Sequence, residues 1–227
     1  MELPKEKSTP KKTLSDKTIL LYGQPKSGKS TFASKFPKSL FIATEPGHKF
    51  LEVFKVDPMN WSDIKDVCRQ LIQQRDDKQF ETIVFDTADN TYKMCEDYIC
   101  KTEGIKHMSD LSFGKGYNLV RAEFMRVINA LGQSGYGIVF ISHSDTRELD
   151  EKGIKRAYTD TTLSGSARKA ISGLCDFILY CFINDQGDRI LLTKGDENIN
   201  AGDRSGILPK VMNLSYCELK KHLEGEG

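Results

Sequence analysis

No stretch of this chain is apolar for long enough to span a bilayer; its hydrophobic runs are strand-sized, well short of about 18 residues. Neither sign of charge dominates: 33 Lys+Arg stand against 32 Asp+Glu, for a formal net charge of +1. A blanket basic field for nucleic acid or anionic lipid is thereby ruled out, so any polyanion site must be local. The six cysteines, Cys68, Cys95, Cys100, Cys175, Cys181 and Cys217, contain no close C-x-x-C pair and mostly sit among apolar neighbours. They read as free buried thiols in a reducing compartment better than as a zinc site. Residues 1–17 hold five lysines and two prolines with no hydrophobic segment behind them, unlike a secretory signal. They are expected to form a flexible polar leader, and the protein is expected in the cytoplasm.

What is present suits one globular domain. The 227 residues are 38% hydrophobic and 29% charged, and a chain of this size buries roughly 70% of its extended surface on folding. Residues 18–22 read as a buried strand, followed by a glycine-rich turn and a helix over 29–36 that Pro37 stops. SLFIA at 39–43 is a second buried strand, and 53–56 a third or an edge. Asp57 and Asn60 offer caps to a helix over 61–75, whose Ile64, Val67, Cys68, Leu71 and Ile72 recur on one face. A strand over 80–86 ends in an acid. Helices follow over 89–103 and 117–133, then a strand over 137–141 that ends at Ser142-His143-Ser144.

Residues 145–162 are rich in charge and threonine without an apolar period, and read as a long mobile loop. A helix over 163–174 and two strands over 176–183 and 188–193 come next, the strands joined by the hairpin turn Asn184-Asp185-Gln186-Gly187. Alternating strands and helices predict an α/β fold: a mostly parallel central sheet covered on both faces, with an antiparallel C-terminal hairpin. The expected organisation is a leader over 1–17, a core over 18–209, and a tail over 210–227 with a short helix near 216–223.

Gly23-Gln24-Pro25-Lys26-Ser27-Gly28-Lys29-Ser30 fits the phosphate loop G-x-x-x-x-G-K-S/T between a predicted strand and a predicted helix. Glycines let backbone N–H groups converge on phosphate, and the start of the helix adds positive potential. Lys29 should reach the β- and γ-phosphates of ATP, Ser30 should ligate Mg²⁺, and Thr31 should donate to the α-phosphate. Asp86, at the end of its strand, is suited to holding a metal-bound water; the plainer role is a turn aspartate. Thr87 follows it, and Asp89 can simply cap the next helix. Glu45, just past SLFIA, is the first choice to orient the attacking water, against an exposed loop carboxylate as the alternative. His143 is placed to sense the γ-phosphate, or to bond backbone at a strand end. His48, His107 and His222 receive no role.

These segments, with FIATEPG at 41–47, TIVFD at 82–86, FGKGY at 113–117, GIVFISHS at 137–144, LSGSARK at 163–169 and LLTKGDENINAGDRSG at 191–206, resemble the bacteriophage RecA-like P-loop ATPases. Some members of that family act in single-strand annealing or recombination. The resemblance covers about residues 18–209. It implies a P-loop NTPase fold of RecA-like type and Mg²⁺-dependent ATP hydrolysis, with Glu45 as catalytic base and His143 as γ-phosphate sensor. It also implies a DNA-binding role for the segment after His143, and a homo-oligomeric ring or filament in which Lys194 and Arg204 reach a neighbour's nucleotide. Partner single-strand-binding or recombination proteins, and the cytoplasm of a bacterial host, follow from the same likeness.

The segment can also be read by itself. Arg147, Lys152, Lys155 and Arg156, with Tyr158 and then Arg168 and Lys169, could hold a short single strand of DNA by phosphate contact and stacking. Interspersed acids leave a solvated hairpin as the alternative. Two other activities remain open to the sequence: a small-molecule phosphotransferase, and a slow ATP-switched loader.

Overall fold

The computed structural model describes residues 3, 5–7, 13–77, 79–151 and 154–225. The apolar run after the leader forms β1 (Thr18–Gly23), and Ile19, Leu20, Leu21 and Tyr22 are fully buried. The glycine turn leads into α1 (Lys29–Ala33), then β2 (Ser39–Ala43) and the short β3 (Phe54–Val56). Asn60 caps α2 (Trp61–Gln73) by accepting from the N–H groups of Ser62 and Asp63. β4 (Thr82–Asp86) is buried throughout and is followed by α3 (Ala88–Glu103), which ends at Gly104 in the left-handed region. α4 (Lys115–Gln133) precedes β5 (Gly137–Glu151) and β6 (Ile154–Thr161). The chain closes with α5 (Gly165–Leu174), β7 (Phe177–Ile183), β8 (Arg189–Leu192), β9 (Gly202–Asp203), β10 (Val211–Asn213) and α6 (Tyr216–Glu224).

Among the described residues the sheet has ten strands, in the order β10-β8-β7-β1-β5-β4-β2-β3, with β6 beside β5 and β9 beside β7. From β7 to β3 neighbouring strands are parallel, while β8 and β10 are antiparallel additions. Both faces are covered, which is why the inner strands read as continuous apolar runs. Leu20 joins Trp61, Ile64, Phe85, Phe124 and Phe140 in one core, on the side of α2, α3, α4 and α5. Ile19 and Leu21 join Phe32, Phe41 and Leu219 in the other, on the side of α1 and α6. The period-2 alternation of a strand puts neighbouring residues in opposite cores. Cys68, Cys95, Cys175 and Cys181 are buried free thiols. No helix among the described residues is long and apolar enough to cross a membrane.

β5 lies between β1 and β4, and this insertion sets up the site. Gly23 pairs with His143, Asp86 with Ile141, and Ala43 with Asp86. The ends of β1, β2 and β4, and the residue His143 within β5, therefore meet at one carboxyl edge of the sheet.

Three expectations are corrected. Residues 145–151 and 154–161 are strand, not loop: β5 runs on past the core, and β6 returns antiparallel to it, from Ser144 opposite Thr161 to Glu151 opposite Ile154. Projecting from the core, this ribbon has no apolar face, so strand periodicity is invisible in its sequence. The end of the leader is structured, since Leu14 is buried in a 3₁₀ turn and its N–H donates to Glu224 Oε1 at 3.2 Å. The segment after 209 has the expected short helix, as α6, but is no loose tail, because β10 joins the sheet and Leu219 and Leu223 are buried. Much of the leader lies outside the described residues, as does Lys152.

Candidate functional site

The turn between β1 and α1 is shaped by its glycines. A Cβ on Gly23 would lie 2.0 Å from the carbonyl oxygen of Cys181, so only glycine lets β1 approach β7 so closely. Gly28 has φ of 100° and packs under the Arg189 and Leu214 side chains, where a Cβ would come within 3.0 Å of each. Lys29 is buried under the loop, with Nζ donating to the carbonyls of Gly23 at 2.8 Å and Gln24 at 2.7 Å. That burial pushes the pKa of its ammonium group down, against the pull of Asp86 and Glu45. Ser27 Oγ is buried without a hydrogen-bond partner among the described residues. Pro25, Lys26 and Thr31 line the open side of the loop, and Gln24 contributes its carbonyl.

Opposite the loop stands Asp86, itself 3% exposed. Its Oδ2 accepts from Ser30 Oγ at 2.7 Å and lies 2.9 Å from His48 Nε2. The His48 ring sits edge-on to Phe41, with centroids 5.3 Å apart. The ends of β2 and β4 are clamped together: Thr44 N–H donates to the Asp86 carbonyl at 2.8 Å, and Thr44 Oγ1 accepts from Thr87 N–H at 2.9 Å. This clamp holds the next residue, Glu45, at the mouth of the site. Glu45 Oε1 is 3.6 Å from His143 Nε2, and each side chain is about one-third exposed. His143 Nδ1 is buried with no partner among the described residues.

Lys29, Ser30, Glu45, Asp86 and His143 thus line one cleft of about 570 Å³, within the usual range for small-molecule sites. Its donor set fits a phosphate chain carrying a hard divalent cation. The loop offers a buried ammonium and an unpartnered hydroxyl, and Ser30 and Asp86 offer adjacent oxygens. No group of three or more His, Cys, Asp or Glu side chains that could hold a metal ion occurs among the described residues. A cation here would therefore draw most of its ligands from phosphate and water, as Mg²⁺ commonly does.

The other predicted residues fall elsewhere. Arg147 and Arg168 both reach Oδ2 of buried Asp160, at 3.3 and 2.8 Å, and its Oδ1 accepts from Asn200 Nδ2 at 2.8 Å. Lys155 pairs with Glu148 at 2.8 Å and Arg156 with Glu197 at 2.8 Å. Tyr158 is half-buried on β6, and Lys169 is exposed on α5. Asp89 Oδ1 accepts from Thr162 Oγ1 at 2.7 Å, so Asp89 ties the hairpin root to α3 instead of capping it.

Lys194 and Arg204 lie away from the carboxyl edge. β8 starts opposite Ile183, at the end of β7, and runs back from that edge, so Lys194 follows its far end. Arg204 Nη1 bonds Asp176 Oδ1 at 3.1 Å, beside the start of β7 at the opposite edge of the sheet. The basic residue that this hairpin brings to the cleft is Arg189, at the beginning of β8. Sequence reasoning missed it, although the predicted turn at 184–187 already sets the start of the next strand beside the end of β7. His48 was passed over too, although it lies three positions after Glu45 in the same EPGH segment.

A strand, a glycine loop closing over a buried lysine, and an acid at the end of a second strand define a P-loop NTPase site. The chain belongs to the AAA domain family, whose profile matches residues 15–205. It is also similar to the SPbeta prophage-derived uncharacterized protein YorG of Bacillus subtilis (strain 168), with 28% identity over 146 residues, or 63% of this chain. The matched region spans 44% of that relative's length.

Proposed function

We propose that the protein binds ATP with Mg²⁺ in this cleft and hydrolyses it, and that nucleotide state is coupled to single-stranded DNA during phage recombination, annealing or replication. The observation that carries the ATPase reading is the convergence of Lys29, Ser30, Asp86 and Glu45 on one cleft. Lys29 exchanges the carbonyls of Gly23 and Gln24 for phosphate oxygens, and Thr31 donates to the α-phosphate. Held by Ser30, Asp86 and the nucleotide, Mg²⁺ would offset the charge that develops on the transferring phosphoryl group. Glu45 accepts a hydrogen bond from the attacking water and aligns it with the terminal phosphorus, whose bond to the ADP oxygen breaks. His143, whose Nε2 lies 3.6 Å from Glu45 Oε1, can donate to a γ-phosphate oxygen. Single-turnover hydrolysis of ATP by the purified chain, complete with Mg²⁺ and absent with a chelator, is the expected result; intact ATP after prolonged incubation with Mg²⁺ contradicts the reading.

The DNA reading is supported by continuity. β5 carries His143 at the cleft and then runs directly into the charged hairpin, so displacement of one end is felt at the other. A single strand would replace Glu148 and Glu197, the exposed acid partners of Lys155 and Arg156, with phosphates. Salt-sensitive binding in the presence of an ATP analogue is expected, and no binding at low salt removes this part. Lys194 and Arg204 face away from their own cleft, so a role for them requires a neighbouring subunit in a ring or filament. Specific ATPase activity that climbs with protein concentration is the signature of that arrangement, and constant specific activity contradicts it.

A further inference from the structure

A second cleft adjoins the phosphate site. It has a volume of about 450 Å³ and opens between α1 and the start of α6. Thr31, Phe32 and Lys35 form one wall, and Leu214, Tyr216 and Cys217 the other. Gly28, Thr31 and Arg189 line both clefts and form a saddle between them. The groups that would handle water and the terminal phosphate, Glu45, Asp86 and His143, line the first cleft and not the second. Thr31 is the residue placed for the α-phosphate. A triphosphate with its γ end at Glu45 and its α end at Thr31 therefore crosses the saddle, and whatever is attached to the α-phosphate enters the second cleft.

The walls suit a flat, partly apolar group. Leu214 and Phe32 supply apolar surface, and the Arg189 guanidinium offers a planar cationic face on which an aromatic base can stack. The cleft is preformed. Tyr216 packs its ring on Phe36, with centroids 4.8 Å apart. Leu214 N–H donates to the Arg189 carbonyl at 2.8 Å, tying the α6 side to β8. Leu219 and Leu223 anchor α6 in the core beneath it.

We infer that this second cleft receives the base and ribose of the bound nucleotide, with Arg189 as the stacking residue, so that the segment after 209 forms part of the ligand site. The inference rests on ATP occupying the phosphate cleft. Cys217 makes it testable, because its thiol is exposed at the rim while Cys68, Cys95, Cys175 and Cys181 are buried and Cys100 is half-buried.

The experiment follows N-ethylmaleimide alkylation of the Cys217 peptide by mass spectrometry, with Mg²⁺ and no ligand, ATP, or inorganic tripolyphosphate. Calorimetry on the same samples measures binding of each ligand. ATP at about ten times its dissociation constant should slow alkylation on the order of tenfold, since the free fraction falls as 1/(1 + [L]/Kd). Tripolyphosphate, confined to the first cleft, should leave the rate within about twofold. Cys217→Trp, which fills the second cleft from an exposed position, should weaken ATP about tenfold and leave tripolyphosphate binding unchanged. If ATP binds but neither protects Cys217 nor feels Cys217→Trp, the nucleoside placement is overturned while ATP binding stands. Equal protection by tripolyphosphate overturns it as well. If wild-type protein binds no ATP, both readings fall.

Discussion

The carboxyl edge of the sheet and the hairpin that grows from it share a strand, yet they are held by different forces. At the edge, β1, β2 and β4 end inside a parallel sheet with both faces covered; Lys29 is buried against the carbonyls of Gly23 and Gln24, and Asp86 against the side chains of Ser30 and His48. In the hairpin, β5 continues with exposed Asp145, Thr146, Arg147 and Glu148, and ion pairs such as Lys155 with Glu148 stand in solvent. Buried hydrogen bonds fix geometry because leaving them unmade is costly. Exposed ion pairs contribute about 0–1 kcal/mol and exchange partners readily. One strand thus joins a rigid chemical centre to a surface whose charges are free to be re-paired. Asp160 marks the boundary: it is buried at the hairpin root and gathers Arg147, Arg168 and Asn200.

The contrast can be broken by substitution. The largest effect belongs to the edge: Lys29→Ala should lower the ATP hydrolysis rate constant about 10²–10³-fold, read in single-turnover assays, while the fold stays intact by circular dichroism. A fall of less than tenfold in that assay would show that the buried lysine is not the phosphate ligand. Next comes Asp160→Ala, which strands two guanidinium groups at the boundary and should cost about 1–3 kcal/mol of stability in urea unfolding. His48→Ala removes a partner of Asp86 and should cost about 1–2 kcal/mol by the same measure; unchanged stability would mean that the His48–Asp86 contact contributes nothing to the edge. The smallest effect on stability is expected from Lys155→Ala combined with Arg156→Ala, less than about 1 kcal/mol. The same pair should nonetheless reduce single-stranded DNA binding and flatten its salt dependence. A large loss of stability there would erase the distinction between the two regions.

The same division decides what could be read from the sequence. The buried strands announced themselves: TILLY, SLFIA, TIVFD and GIVFI are apolar because both sheet faces are covered, and their ends carried Gly23, Asp86, Glu45 and His143 to one place. The hairpin was illegible as structure, because its strands carry mostly charged and threonine residues and leave no apolar stripe. β10 escaped notice for a different reason, being only three residues long with Met212 alone buried. Arg189, Lys194 and Arg204 show the cost of not following the expected antiparallel hairpin to its two ends. All three are basic residues in or near the terminal hairpin, and only the antiparallel return of β8 decides which meets the cleft. His48 sits outside every regular element, so no periodicity pointed its ring at Asp86.

Glu45→Gln tests the central claim most directly. Retained ATP affinity in calorimetry, together with a loss of single-turnover hydrolysis of about 10²-fold or more, is the predicted result, since the amide keeps the shape of the cleft and loses the carboxylate that holds water. Hydrolysis at the wild-type rate by that variant would contradict the account.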